Sequence, residues 1–236
     1  MRGSPRVPTH LQARSGGGRL IAVEGCDGSG KSTQLRLLYR YLLRSGLPVH
    51  LSSWNSSPAV HPISQSGKRT KRLFGLSYAL FNAADFADRY EREILPRLGL
   101  GQIVLCDRYV GTALARDGAR GLDPAWTRAL YDYARPADLT FLFRLPPSVA
   151  AYRVLAGRKR FGYYEAGMDL GLSSDPLASF LQFQGEVLKR YLQLAPGLDY
   201  RLIDATAGLR AQQSEIRRQT LELLAVSQPA TAAALV

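Results

Sequence analysis

A glycine-rich segment between an apolar run and a helical pattern places the strongest constraint on this chain. Gly25–Ser32 reads Gly-Cys-Asp-Gly-Ser-Gly-Lys-Ser and fits the pattern G-x-x-x-x-G-K-[ST]. The run Leu20–Glu24 before it predicts a buried strand, and Lys31–Arg44 after it has apolar residues at helical spacing. Glycines let backbone N–H groups converge on phosphate oxygens, and the following helix presents its positive end to them. The segment therefore predicts a nucleoside triphosphate site.

Four side chains have predicted roles at the phosphates. Two belong to this segment, and two lie at the end of a later predicted strand. Lys31 is expected to reach the β- and γ-phosphates, and Ser32 to ligate Mg²⁺. Asp107 ends a second apolar run and is favoured as a Mg²⁺ ligand, with a cap after the strand as the alternative. Arg108 suits bidentate phosphate contact, although a surface ion pair competes with that role. The residues predicted to bind the nucleoside triphosphate are Gly25, Asp27, Gly28, Ser29, Gly30, Lys31, Ser32, Thr33 and Arg153.

Short apolar runs alternate with helical patterns along the chain. This alternation predicts an α/β fold, with a parallel five-stranded sheet and helices on both faces. Ligands bind such sheets at the carboxyl ends of the strands, where Gly25 and Asp107 lie. The predicted strands are Leu20–Glu24, Pro48–Ser52, Ile103–Cys106, Leu139–Leu145 and Tyr200–Ile203. The predicted helices are Lys31–Arg44, Leu76–Leu98, Pro124–Tyr133, Pro147–Leu155, Pro176–Leu194 and Leu209–Leu224, while Trp54–Lys71 is expected to be a loop.

The length of 236 residues suffices for one sizeable domain, and a hydrophobic share of 46% makes global disorder unfavourable. We expect a single P-loop domain over residues 19–226, with a lid at about residues 157–175. It lies between a basic leader, residues 1–18, and a tail, residues 227–236, both expected to be flexible. A flexible leader, a targeting segment and a cloning remnant all stay open for residues 1–18.

The net charge of +12 suits polyanionic ligands such as nucleotides, nucleic acid or an anionic membrane. The basic residues form no long helical face and no aromatic-interleaved strand, so nucleic acid is the minority interpretation. No apolar run reaches the roughly 18 to 20 residues of a membrane span. Cys26 and Cys106 are too few for a disulfide framework or a zinc cluster, and we expect reduced packing thiols in a cytoplasmic protein.

A cluster of basic residues runs from a helix into an irregular segment and suggests a lid. Phosphoryl transfer builds negative charge on equatorial oxygens, and arginines on a closing loop stabilise that charge. Closure also excludes water, so that an acceptor competes with hydrolysis. A solvated run of charge is the alternative for Arg153, Arg158, Lys159 and Arg160. The predicted catalytic residues are Lys31, Asp107, Arg108, Arg158 and Arg160.

Together these segments resemble the thymidylate kinase family of P-loop kinases. Residues 23–34 resemble its opening signature, residues 107–109 match its Asp-Arg-Tyr motif, and residues 117–122 resemble the segment after that motif. The resemblance runs from about residue 20 to residue 204. It implies a P-loop kinase fold with a basic lid, ATP as donor, Mg²⁺ as cofactor, and transfer to a nucleoside monophosphate, dTMP to dTDP. Members of the family are commonly homodimers, so the resemblance also implies a homodimer.

The resemblance also assigns residues to the acceptor. Asp27 matches the aspartate at the acceptor sugar, Arg108 the arginine at its phosphate, and Phe81 the aromatic residue stacked on the base. Arg153 matches a basic residue before the lid, and Arg158 or Arg160 matches the lid arginines.

Several acceptor positions depart from the family pattern. Phe86, next to Asp85, occupies the position of the family's base-reading arginine. This helix carries one inserted residue, and Arg89 could take the role of that arginine only if the helix were shifted. Further along the chain, Arg116 and Asp117 stand where the family has an aromatic residue and an amide, and they are an ion-forming pair. Because buried polar sites reject ligands that leave their groups unpaired, these changes bear on which acceptor fits. The predicted acceptor residues are Asp27, Phe81, Asp85, Arg108, Thr112, Arg116 and Asp117.

Three functions stay open at this point. The first is a kinase that acts on dTMP or another nucleotide. The second keeps the fold but phosphorylates a nucleoside or another small acceptor. The third is a nucleotide-binding module with little transfer activity.

Overall fold

The computed structural model describes residues 17–225, which form a five-stranded sheet covered by helices. All strand pairs are parallel, in the order β2-β3-β1-β4-β5. This confirms the predicted five-stranded parallel α/β fold. The strands are β1 (Arg19–Gly25), β2 (Val49–Ser53), β3 (Ile103–Asp107), β4 (Leu139–Arg144) and β5 (Arg201–Asp204).

Helices connect successive strands on both faces of the sheet. A π-helical stretch, Tyr90–Ile94, joins α3 to α4, and short 3₁₀ turns lie at Met168–Leu170 and Pro196–Leu198. No helix within residues 17–225 is long and apolar enough to cross a membrane. The α-helices are α1 (Lys31–Arg44), α2 (His61–Arg69), α3 (Gly75–Arg89), α4 (Leu95–Gly99), α5 (Val110–Ala119), α6 (Pro124–Ala129), α7 (Pro147–Gly157), α8 (Pro176–Leu194) and α9 (Leu209–Ala225).

The central strand β1 explains why its sequence is continuously apolar. Side chains alternate between the two faces of a strand. On one face Ile21 packs in a cluster with Leu38 of α1, and on the other face Leu20 packs with Phe86 of α3 and Tyr90. Because helices cover both faces, neither set of side chains reaches water.

Two helices were not predicted from the sequence. The predicted loop over residues 54–71 contains α2. Its Ser, Gly and basic residues are not typical of a helix, so the sequence did not indicate one. Pro62 lies in the first turn, where proline is tolerated. Helix α5 is built from small residues such as Gly111 and Ala113, and all but two of its residues are buried. Its stability comes from tertiary packing against α8 rather than from intrinsic propensity.

Two predicted helices have different boundaries. Pro124–Tyr133 was too long, since α6 ends at Ala129. Leu76–Leu98 is divided by the π-helical stretch, and Pro96 lies in the first turn of α4, where proline is tolerated. A π-bulge accommodates one extra residue within a helix, in line with the insertion inferred from the sequence.

The leader and tail lie almost wholly outside the described residues, which include only Gly17 and Gly18 of the leader.

The edge of the sheet where ligands are expected is well defined. Val23 pairs with Asp107, so the glycine-rich turn and the end of β3 are side by side.

Candidate active site

The glycines of the phosphate loop are required by backbone conformation and by space. Gly25, Gly28 and Gly30 have φ angles of 135°, 79° and 88°, which side-chain-bearing residues rarely adopt. A Cβ on Gly25 would lie 2.6 Å from the carbonyl oxygen of Phe143, and one on Gly28 would lie 2.8 Å from that of Ala150. The loop therefore packs directly on β4 and α7, and only glycine fits these two positions.

This close packing gives a prediction for Gly28→Ala. The added methyl group must push the loop away from α7, so we expect ATP affinity to fall by about tenfold or more, a cost of at least ~1.4 kcal/mol. Gly46→Ala is the matched control, because Gly46 has a similar φ of 75° but no atom within 4 Å of an added Cβ. Equilibrium ATP binding measures both. Equal affinities for the two variants would contradict the packing argument.

Lys31 begins α1 and lies over the loop. Its side chain is buried, and Nζ donates to the Cys26 carbonyl at 2.7 Å and to Ser29 Oγ at 3.4 Å. Burial lowers the pKa of Lys31 to about 8, with Arg108 adding to the effect and Asp27 opposing it. Lys31 thus packs against the loop and is held there by two of its residues.

A cleft of about 430 Å³ brings most of the predicted donor residues together. Arg153 lines it from α7, as does Arg158 from the start of the lid. The other predicted residues in its wall are Asp27, Gly28, Gly30, Lys31, Ser32, Thr33, Asp107 and Arg108.

The residues present fit a magnesium ion. The Ser32 hydroxyl and the Asp107 carboxylate line the same cleft beside Lys31, and both are oxygen donors. Mg²⁺ in nucleotide sites takes one or two protein oxygens and fills its other positions with phosphates and water. Residues 17–225 contain no cluster of three or more His, Cys, Asp or Glu side chains that would suit another class of metal site.

Asp27 is held between two arginines. Its carboxylate pairs with Arg108, and with Arg116 Nη1 at 2.6 Å, while Gln184 Nε2 donates to it at 3.2 Å. Burial alone would raise the pKa of Asp27, but Arg116 and Arg108 hold it well below its usual range. The partner of Arg116 is thus Asp27 on the loop, and the expected pairing of Arg116 with its chain neighbour Asp117 is wrong.

Arg108 joins the loop to α5. Its backbone has a φ of 73°, and its guanidinium donates to the Gly25 carbonyl at 3.2 Å and to Thr112 Oγ1 at 3.3 Å. Arg89 Nη2 donates to the Arg108 carbonyl at 3.3 Å, and its guanidinium stacks on Trp54 and Phe86. Arg89 therefore lies behind Arg108, and the bulged helix does not bring it into the cavity beside the loop.

Glu24 supports the site from behind Thr112, and sequence reasoning missed it. It is fully buried and accepts hydrogen bonds from the backbone N–H groups of Tyr109 and Thr112, the Thr112 hydroxyl at 2.6 Å and the Tyr191 hydroxyl at 2.9 Å. Burial raises the pKa of Glu24, while the Thr112 hydrogen bond opposes that rise. The carboxylate fastens the end of β1 to the first turn of α5. An acidic residue at the end of an apolar strand was the available signal.

A second cavity, of about 590 Å³, opens beside the loop. Asp27, Arg108, Thr112, Arg116 and Asp117 line it as expected of acceptor residues, together with Trp54, Tyr78 and Asn82. Two predicted residues are not among its lining. Phe81 packs in the cluster of Leu73, Tyr78 and Tyr164, and Asp85 accepts a hydrogen bond from the Ser57 N–H at 3.1 Å. The stacking role of Phe81 stays a prediction, while Trp54 and Tyr78 are among the aromatic residues that line the cavity.

Asp117 differs from the other carboxylates of the site. Its side chain is 1% exposed, and neither oxygen accepts a hydrogen bond from any residue of the described part of the chain. Burial raises the pKa of Asp117 to about 7, and the nearby Arg120 and Arg116 offset only part of that rise.

The predicted lid segment, residues 157–175, packs against the second cavity. Tyr164 stacks on Tyr78 with ring centroids 5.0 Å apart, and its hydroxyl accepts a hydrogen bond from the Leu73 N–H at 3.0 Å. The base of the lid is held by a buried ion pair, Arg120 to Asp169 at 2.8 Å. Among the lid arginines, Arg158 pairs with Glu165 and lines both cavities, whereas Arg160 is exposed and lines neither.

Comparison with known proteins identifies the family. The family model "Thymidylate kinase" matches residues 23–216, most of the chain and all of the site described above. The chain belongs to the thymidylate kinase family. Among its relatives is a probable thymidylate kinase 2 from Saccharolobus solfataricus, 39% identical over 85% of this chain and 94% of the relative.

Relatives from other organisms extend the family assignment. A thymidylate kinase from Carboxydothermus hydrogenoformans is 31% identical over 79% of this chain and 89% of the relative. A probable thymidylate kinase from Pyrococcus horikoshii is 30% identical over 84% of this chain and 94% of the relative. The thymidylate kinase family thus accounts for the fold, the phosphate loop and the segment at residues 107–109.

Proposed function

We propose that this chain transfers the γ-phosphoryl group of ATP to dTMP and forms dTDP. The observation that carries the proposal is the junction of the two cavities. Asp27, Arg108 and Arg158 line both the donor cleft and the acceptor cavity. A phosphoryl group held by the loop therefore faces an acceptor in the second cavity, as direct transfer requires.

Catalysis would consist of positioning and charge stabilisation, without a covalent intermediate. Lys31 and the loop N–H groups bind the donor phosphates, and Arg108 binds the acceptor phosphate. Ser32 and Asp107 would hold Mg²⁺, which supplies neutralisation of phosphate charge when bound. Arg158, released from Glu165, adds a positive charge where negative charge develops.

Asp27 and Arg116 have a supporting role in this proposal. The carboxylate orients both Arg108 and Arg116 toward the cavity, because it pairs with each of them. Thr112 supports Arg108 from α5 and is itself held by Glu24. The acceptor phosphate and sugar thus meet groups whose directions are fixed before binding.

We also propose a cytoplasmic homodimer that uses small nucleotides. Burial raises the pKa of Cys26 to about 11 and that of Cys106 to about 12, as expected of packing thiols that stay reduced. Phe74, Leu76 and Leu80 expose apolar side chains at the start of α3, which offers a surface for a second copy.

A phosphoryl-transfer screen tests the function. With ATP and Mg²⁺ we expect dTMP to be the best acceptor among dTMP, dUMP, dCMP, dGMP, dAMP and thymidine, with one ADP formed per dTDP. Separation of the products by ion exchange identifies the acceptor. Faster turnover of thymidine than of dTMP would favour a nucleoside kinase, and ATP binding without any transfer would favour a binding module.

A further inference from the structure

A cavity of about 290 Å³ lies against a different face of α5 from the acceptor cavity. Gly111 and Leu114 of this helix line it, whereas Thr112 and Arg116 line the acceptor cavity. Of the residues that the structure describes, none lines both this rear cavity and either of the two cavities described above. The rear cavity is therefore a separate compartment, and α5 is the wall between it and the acceptor cavity.

The walls of the rear cavity are largely aromatic and aliphatic. Tyr109, Tyr131 and Tyr200 contribute rings from three different segments of the chain. Leu114 and Leu198 add aliphatic side chains. Aromatic side chains pack well against another ring, either stacked with an offset or edge to face. These walls suit a flat aromatic body, and the volume is close to about 300 Å³, the lower end of the range for small-molecule sites.

The Tyr200 hydroxyl is a hydrogen-bond donor without a partner in this cavity. It lies against α5, since a Cβ on Gly111 would be 2.2 Å from it, and it makes no hydrogen bond within residues 17–225. The neighbouring Glu24 carboxylate already accepts four hydrogen bonds, which fill its lone pairs. Burial raises the pKa of Tyr200, Glu24 adds to the rise and Arg128 opposes it, so the hydroxyl keeps its proton. It is therefore available to donate to a ligand.

A smaller cavity of about 190 Å³ continues along α5 and brings in positive charge. Leu114 and Arg128 line both cavities, so the two adjoin. Arg128 is an exposed residue of α6 that makes no ion pair within the described residues. Arg190, which pairs with Glu186, also lines the smaller cavity, and no carboxylate from the described part of the chain does. The junction of the two cavities thus offers an unpaired guanidinium beside apolar walls.

We propose that the rear cavity binds a small aromatic carboxylate, with its ring against the tyrosines and its carboxylate accepting from Arg128 and the Tyr200 hydroxyl. A guanidinium binds a carboxylate through two parallel hydrogen bonds, which are stronger than those between neutral groups. A neutral ring would leave Arg128 without an anion, and a bare phosphate would leave the aromatic walls uncovered. The occupant would lie against the helix that carries Thr112 and Arg116 without entering either substrate cavity.

The test compares the binding of 1-naphthoate with that of 1-naphthamide, its neutral counterpart. Titration calorimetry is carried out on the full-length wild-type protein and on two variants of the cavity. Arg128→Ala removes the guanidinium, and Ala134→Trp fills the space, because Ala134 is a partly buried residue of the cavity wall. Arg40→Ala is the matched control, since Arg40 is an exposed arginine of α1 that lines neither of the adjoining cavities.

We expect wild type and Arg40→Ala to prefer 1-naphthoate over 1-naphthamide by about tenfold or more, the value of a hydrogen bond to a charged group. In Arg128→Ala the preference should fall to about threefold or less, because only the neutral hydroxyl donor remains. Ala134→Trp should bind neither compound. If Ala134→Trp does not fold, Arg128→Ala decides by itself. Equal binding of 1-naphthoate to wild type and Arg128→Ala, or no binding to wild type, would overturn the inference.

A repeat of the titration with saturating ATP, and then with saturating dTMP, tests the location. The rear cavity shares no lining residue with the substrate cavities, so 1-naphthoate should still bind. Its displacement by ATP or dTMP would place it in a substrate cavity and overturn the inference. The test does not require phosphoryl transfer, so a failure of the proposed function would leave the binding result standing.

Discussion

Lys31→Ala is expected to abolish measurable transfer from ATP to dTMP, a loss of at least roughly 10²- to 10³-fold in kcat. The Lys31 ammonium is buried under the loop, where a charge acts through a medium that screens it weakly. It is also the only side-chain cation within the loop itself, residues 25–32. Steady-state kinetics at saturating dTMP, with ATP varied, measures the loss.

The fold should survive this change. Lys31 donates only to the Cys26 carbonyl and to Ser29 of its own loop, and its lowered pKa shows that burial disfavours the cation. We therefore expect the Tm of Lys31→Ala to equal or exceed that of wild type. Lys189→Ala is the matched control, because Lys189 is an exposed lysine of α8 that pairs with Glu186. Full activity of Lys31→Ala would remove the phosphate loop from the mechanism.

Arg120→Ala is expected to lower the free energy of unfolding by about 3–5 kcal/mol, the usual cost of removing one partner of a buried ion pair. The Arg120 side chain is buried, and pairs with Asp169 at 2.8 Å while donating to the Tyr164 carbonyl at 2.9 Å. The guanidinium also lies 4.6 Å from the ring centroids of Tyr78 and Phe183. Its loss leaves an uncompensated carboxylate and loosens the base of the lid. Urea denaturation at pH 7 measures the change.

A double variant separates the charge from the packing. Arg120→Met with Asp169→Leu removes both charges together, so it should recover a substantial part of the stability lost in Arg120→Ala. Activity should not recover in parallel, because the Tyr164 carbonyl has lost the Arg120 donor and keeps only the hydrogen bond from Arg116 Nη2 at 3.2 Å. Arg218→Ala, which breaks exposed pairs on α9, is the control and should change stability by at most about 1 kcal/mol. A loss in Arg120→Ala no larger than that of the control would contradict a buried anchor.

Much of the donor side was predictable because its chemistry is local in the chain. A strand, a glycine turn and a helix in succession define the phosphate loop, so Lys31 and Ser32 were assigned from spacing alone. Asp107 and Arg108 followed from one further rule, that parallel strands present their ends at a common edge.

Some contacts of the acceptor side were not predicted, because they join distant parts of the chain. Arg116 was expected to pair with its chain neighbour Asp117, but on a helix neighbouring residues point in different directions, and Arg116 reaches Asp27 instead. Phe81 is aromatic and nearly in register, yet the turn of α3 directs Tyr78 and Asn82 to the cavity.

The α/β architecture, the phosphate loop and the family could be predicted from the sequence, since each depends on periodicity or on residues adjacent in the chain. The hydrogen-bond partners of the buried carboxylates became visible only in the three-dimensional fold. Glu24 accepts four hydrogen bonds, Asp27 joins two arginines, and Asp117 lacks a donor within the described residues. Burial and partners come from residues far apart in the chain, and these set the free energy of a charge. For that reason the sequence was enough to predict the phosphate loop, whereas the partners of the surrounding carboxylates required the fold.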